Sequence, residues 1–161
     1  MSKEVIEAFS KVRVDSSVLL NTMRELSIKS KSRGLSLATT SLEKGRMYLG
    51  EIQGNLGQEF PYEATKTAKT PKEIQEAVEV SKKSINLVDN EITNLNMLRE
   101  EISKRIDVIL STFMWYSEKR KVNNLKEKFL QDANFAEAYR AYKEARMWLG
   151  VRLGEIKSNN G

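Results

Sequence analysis

The stretch LSLATTSLEKGRMYLGEIQGNLG, residues 35–57, decides the fold. Its apolar and small positions are Leu35, Ala38, Leu42, Gly45, Leu49, Ile52 and Leu56. Spacings that alternate between three and four mark a helix with one stripe buried against a partner helix. Gly45, Gly50 and Gly54 stand inside that pattern, and each costs a helix about 1 kcal/mol relative to alanine. Gly57 suits a C-terminal cap, but the three interior glycines require a close neighbour.

The same residues return later in the chain. Arg46-Met47-Tyr48-Leu49-Gly50 becomes Arg146-Met147-Trp148-Leu149-Gly150, Gly54 becomes Gly154, and Ala38 becomes Ala138. The second stripe reads Phe135, Ala138, Tyr142, Ala145, Leu149 and Ile156. A repeated helix that keeps glycine in its middle implies a close approach to its backbone in both copies. Arg46, Gly50 and Gly54 are spaced by four and share a face. The stripe is expected to close a helical hairpin, and the Arg-Gly-Gly face to meet a second partner. That partner is either another helix, because small residues let helices approach, or a bound ligand. Gly50, Gly54, Gly150 and Gly154 are assigned to assembly.

Upstream, Val5, Phe9, Val12, Leu19, Met23 and Leu26 predict a helix over residues 3–31, with the polar Ser16 interrupting the stripe. Ser30 to Gly34 read as a break. Residues 58–70 read as a loop, with Phe60-Pro61-Tyr62 and the two lysines Lys66 and Lys69. Thr70-Pro71 then look like the cap and first position of a new helix. From Lys72 to about Arg120 the stripe Ile74, Val78, Ser81, Ile85, Val88, Ile92, Leu95, Leu98, Ile102, Ile106, Ile109 and Phe113 runs without a stop. Unbroken, this helix would reach roughly 70 Å. Asn86, Asn90, Asn94 and Asn96 are expected to face solvent, Phe113 to Tyr116 to be core, and Glu118 to Lys121 to be a solvated helix end. Asp132-Ala133-Asn134 read as a turn, with Asn134 capping a last helix from Phe135 to about Lys157. The expected fold is all-α: tandem antiparallel helical hairpins with a long central helix, oligomeric. Its halves are residues 1–70 and 71–161.

The 161 residues suffice for one ordinary domain or two small lobes, and 30% charged with 40% hydrophobic residues fits an ordered helical protein. The longest apolar run, Val108 to Tyr116, is too short to span a membrane, and the start MSKEVIEAFSK has no signal-peptide core. A cytoplasmic, non-membrane protein is expected. With no cysteine and no histidine, disulfides, thiolate nucleophiles, Cys/His zinc sites and a histidine base are excluded. The net charge of +5 admits an anionic partner and is modest for a binder of long nucleic acid.

Candidate catalytic groups are few. Glu100 and Glu101 point in different directions on a helix, and no phosphate-cradling loop or nucleophile elbow is present. No catalytic residue, metal or cofactor is assigned. Basic residues are better placed for binding: Arg33, Lys44, Arg46, Lys66, Lys143 and Arg146 gather around the repeats and the loop. Guanidinium groups suit phosphate. Tyr48, Tyr62 and Trp148 are candidates to stack on a base, while core packing explains them equally well.

The run Arg33-Gly34-Leu35-Ser36-Leu37-Ala38, the Leu42-Glu43 and Arg46-Met47-Tyr48-Leu49-Gly50 segments, and Pro61-Tyr62 after them resemble the helical-hairpin family of phage nucleotide sponges. That family consists of anti-defence proteins directed against CBASS and Thoeris immunity. The resemblance covers about forty residues around 33–72, with a shorter echo at 135–156. It implies a hairpin that forms homo-oligomers, commonly hexamers. It also implies non-enzymatic binding of cyclic oligonucleotides or cyclic ADP-ribose isomers, which are held without cleavage. The two hairpin-like halves and long connecting helix depart from the small family members. An assembly-only helical protein is the alternative.

Overall fold

The computed structural model describes residues 2–57, 88–119 and 125–160. Within them the chain forms four helices and no strand: α1 (Ser2–Lys29), α2 (Arg33–Asn55), α3 (Glu91–Lys119) and α4 (Leu125–Asn160). The expected loop over 58–70, with Tyr62 and Lys66, and the expected helix over 72–87 lie outside the described residues.

The first hairpin follows from its local chemistry. α1 ends at Lys29, and Ser32 caps α2 by accepting the Leu35 amide at 3.0 Å. α2 ends at Asn55 with Leu56 as its cap, and Gly57 follows with a φ of 99°, open to glycine and strained for other residues. α1 and α2 run antiparallel. Arg24 pairs with Glu43, the Arg46 Nε donates to the Arg13 carbonyl at 3.0 Å, and the Gln53 Nε2 donates to the Ser10 hydroxyl at 2.6 Å. α3 and α4 make a second antiparallel hairpin, in which Arg146 donates to the Ser103 hydroxyl at 3.1 Å and Arg152 to Glu91 at 3.0 Å.

The two copies of the repeated helix pack most extensively on each other. α2 and α4 lie side by side, antiparallel, and α1 and α3 complete a four-helix arrangement. A Cβ on Gly45 would stand 2.5 Å from the Tyr142 ring, and one on Gly34 would stand 3.0 Å from the Trp148 carbonyl oxygen. The neighbour that the glycine-bearing helix requires is therefore, at these two positions, its own copy. Position 45 of the first copy corresponds to Ala145 in the second, and Tyr142 to Leu42; all four are buried. The bulk omitted at Gly45 is supplied by Tyr142 across the seam.

The outer helices share a spacing of buried positions. Val5, Val12, Ser16 and Leu19 of α1 match Leu95, Ile102, Ile106 and Ile109 of α3 in spacing, and all eight are buried. Matched positions 15 and 105 carry opposite charges and meet: Arg105 donates to Asp15 at 2.7 Å. Identical hairpins packed across a two-fold axis would set like residues at this place. The core is continuous through both hairpins, and within it Phe135 meets Phe9, Phe113 and Tyr116 with centroids 5.4, 4.7 and 6.0 Å away. Ser16 breaks the α1 stripe because it is buried against Tyr142, 2.6 Å between hydroxyls, and donates to the Val12 carbonyl at 2.6 Å. Tyr142 therefore donates to Ser16.

Four expectations are corrected. The helix expected to run unbroken from Lys72 to about Arg120 is interrupted: Val88 to Asn90 are not helical, and α3 begins at Glu91. Asn90 is its cap, accepting the Thr93 amide at 3.0 Å. Asn94 does not face solvent. It is buried, its Nδ2 donates to the Val88 carbonyl at 2.7 Å, and its Oδ1 accepts the Val88 amide at 3.1 Å. The side chain satisfies backbone groups that no helical turn serves. The expected turn at Asp132-Ala133-Asn134 is absent, because α4 runs through it from Leu125. Phe135 in the core and Gln131 one turn before it, both buried, keep that segment against the bundle. The Phe113 to Tyr116 cluster is divided: Phe113 and Tyr116 pack on the core, whereas Met114 and Trp115 are exposed.

Candidate functional site

A groove of about 520 Å³ lies along the second hairpin, lined by Arg99 of α3 and by Ala136, Tyr139, Arg140, Lys143, Glu144, Arg146 and Met147 of α4. Its volume falls within the range of small-molecule sites, roughly 300–1,000 Å³. Helical geometry makes it: positions 136, 139/140, 143/144 and 147 form one face of α4. Arg99 lies against Gly150, where a Cβ would stand at ordinary contact distance, 3.5 Å, from the guanidinium carbon.

The groove is electropositive. Arg99, Arg140, Lys143 and Arg146 face one carboxylate, Glu144. Arg140 leans on Glu137 at 3.2 Å at the exposed rim, and Arg146 is anchored by Ser103. The Lys143 ammonium sits over the Tyr139 ring, 5.1 Å from its centroid, which holds the charge near the groove without neutralising it. The Arg99 Nε is buried and donates to no acceptor among the described residues. A buried donor without an acceptor is unfavourable, and an anionic or carbonyl-bearing ligand supplies what it lacks.

Of the residues expected from sequence to bind ligand, Lys143 and Arg146 come together here. Arg46 is elsewhere, half-buried between α1 and α2, with its Nε on the Arg13 carbonyl and one terminal nitrogen buried without an acceptor among the described residues. Burial, then the nearby Arg13 charge, lowers its pKa to about 10. Arg33 and Lys44 are exposed on α2, Arg33 beside a second, shallower hollow at the α1–α2 corner with Lys31 and Ser32. Tyr48 and Trp148 are half-buried and pack on the core. Tyr62 and Lys66 fall outside the described residues. Of the assembly glycines, Gly50 is buried and Gly150 faces Arg99, whereas Gly54 and Gly154 are exposed, and among the described residues nothing comes within 4 Å of a Cβ on Gly154.

Arg99, Tyr139, Arg140 and Glu144 were not expected at the site. Arg99 directly follows Leu98 in a coiled-coil stripe and reads as an ordinary flank. Its one sequence signal is its partner, Gly150 on the facing helix, against which its side chain lies.

No protein-family model, curated protein or solved structure matches this chain. Its groove is interpreted from its own residues. Among the described residues no group of three acidic side chains could hold a metal ion, and no helix is long and apolar enough to cross a membrane.

Proposed function

We propose that this protein is a non-enzymatic sponge. It binds a cyclic nucleotide second messenger in the α3–α4 groove and sequesters it from a host immune effector of the CBASS or Thoeris type. The observation that carries the reading is Arg99: a half-buried guanidinium with an unused Nε, grouped with Lys143 and Arg146 beside the Tyr139 ring. Such a group matches a ligand that offers phosphate oxygens and a planar ring. The likeness of residues 33–72 to phage sponges supplies the ligand class, and with it a homo-oligomer acting in the host cytoplasm. Ligand that binds the folded state alone raises the melting temperature with concentration. A thermal-shift panel of cyclic di-, tri- and tetranucleotides and cyclic ADP-ribose isomers is expected to give such a rise for at least one member. That ligand should be recovered intact after the protein is denatured. No rise for any member contradicts the reading, and a cleaved ligand contradicts the non-enzymatic part of it.

One observation favours a second reading, helical assembly alone. Met147 and Val151 stand one turn apart on α4, exposed at 51% and 41%, and Gly154 beyond them is bare. This strip suits a neighbouring subunit. It predicts oligomers by native mass with no response to the ligand panel.

A further inference from the structure

The internal duplication would lead one to expect the groove twice, but the first hairpin does not repeat its chemistry. The repeat offset between α2 and α4 places Thr39 where the second hairpin has Tyr139, Thr40 for Arg140, Glu43 for Lys143 and Lys44 for Glu144. The offset between α1 and α3 places Phe9 where the second hairpin has Arg99. Phe9 is fully buried and stacked edge-on against Phe135, so it lines no surface. Glu43 is engaged by Arg24, whose side chain is 14% exposed. Arg46, the counterpart of Arg146, turns into the α1–α2 seam and bonds to backbone. What is a cationic groove in one hairpin is a packed and ion-paired seam in the other.

We infer that, of the two hairpins among the described residues, the second holds an anion site and the first does not, and that Lys143, where the first hairpin has Glu43, is a determinant of which copy binds. The first hairpin serves as the scaffold against which the second is packed. This inference rests on the ligand-binding reading and adds the stoichiometry and the residues that set it. It follows from charge: an acidic side chain at position 143 would face a ligand phosphate with a like charge, and a guanidinium at 99 cannot be replaced by a buried ring.

The test uses calorimetric titration of the intact protein with cyclic di-AMP and with pyrophosphate, on wild type, Lys143→Glu and Lys44→Glu. Both lysines are exposed, so both variants should fold, and their melting curves check this. The expected result is one equivalent bound per chain, a loss of about tenfold or more in Lys143→Glu, the size of one charge-assisted contact, and a change of less than threefold in Lys44→Glu. Two equivalents per chain, or an equal loss in both variants, overturns the inference while the ligand reading stands. No binding by wild type of either probe or of any member of the cyclic-nucleotide panel removes the ligand reading, and the inference with it.

Discussion

Arg99 and Gly150 face each other across the α3–α4 seam, and a Cβ on the glycine would stand 3.5 Å from the guanidinium carbon. That is ordinary van der Waals distance, so Gly150→Ala fits and should raise stability by up to about 1 kcal/mol through helix propensity. Gly150→Leu should instead push the guanidinium off the helix and weaken ligand binding. Urea denaturation and ligand titration on both variants separate the two effects.

The glycines of α2 should behave in the opposite way. Gly45→Ala places a methyl 2.5 Å from the Tyr142 ring, and Gly34→Ala places one 3.0 Å from a backbone oxygen that cannot swing aside. Each should lose about 1–3 kcal/mol as an overpacked seam. Gly154→Ala meets nothing within 4 Å of its methyl among the described residues and should gain up to about 1 kcal/mol. Denaturant midpoints for the three variants provide the check. If Gly154 sits against another subunit, the alanine would lower the midpoint as protein is diluted less steeply than wild type, and sedimentation would show it.

The buried stripes of all four helices were legible in the sequence, because three/four spacing is written directly in Val5, Phe9 and Val12 or in Leu35, Ala38 and Leu42. The pairing of the stripes was less so. The spacing of Leu35 to Leu56 requires a partner, but α1 and α4 satisfy it equally well, and only the Gly45–Tyr142 and Gly34–Trp148 approaches reveal the second. The start of α3 was hidden because Val88 and Ile92 keep the helical spacing across a break. What breaks it is the Asn94 side chain serving the Val88 backbone, a local competition that periodicity does not register. Half of the groove was legible: Lys143 and Arg146 stand in the repeat. Arg99 was not, since its role depends on which helix lies opposite Gly150.

Asn94 therefore carries a measurable share of stability. Asn94→Ala removes two bonds to the Val88 backbone and should cost about 1–3 kcal/mol, with amide exchange accelerating first at the start of α3. Asn94→Asp keeps the acceptor and loses the donor, so it should lie between the two.

The core Tyr142 makes stability depend on alkaline pH. Burial raises its pKa to about 12, while the Ser16 hydrogen bond and the charges of Arg46, Arg13 and Arg105 oppose that rise. The unfolded phenol ionises near 10. Between about 10 and 12 the unfolded chain sheds a proton that the folded chain keeps, so this group's stabilisation is present below 10 and lost as pH rises to 12. Arg46 has the opposite sign. Its folded pKa is lowered to about 10, so above that value the folded chain releases a proton that the unfolded chain keeps, and stability is gained. The two slopes offset each other in wild type. Tyr142→Phe should cost about 1 kcal/mol at neutral pH from the lost Ser16 bond, and its deficit should shrink and then reverse between pH 10 and 12. Paired urea titrations across that interval would show it; a constant deficit would contradict the assignment.

The most direct measurement is calorimetric titration of the cyclic-nucleotide and cyclic ADP-ribose panel into wild type and Arg99→Gln, with melting curves alongside. A bound ligand is expected for wild type, a loss of about tenfold or more in the variant, and an unliganded melting temperature no lower than that of wild type, because Arg99 Nε has no acceptor to lose among the described residues. Unchanged affinity in Arg99→Gln, or no heat from any ligand on wild type, would contradict it.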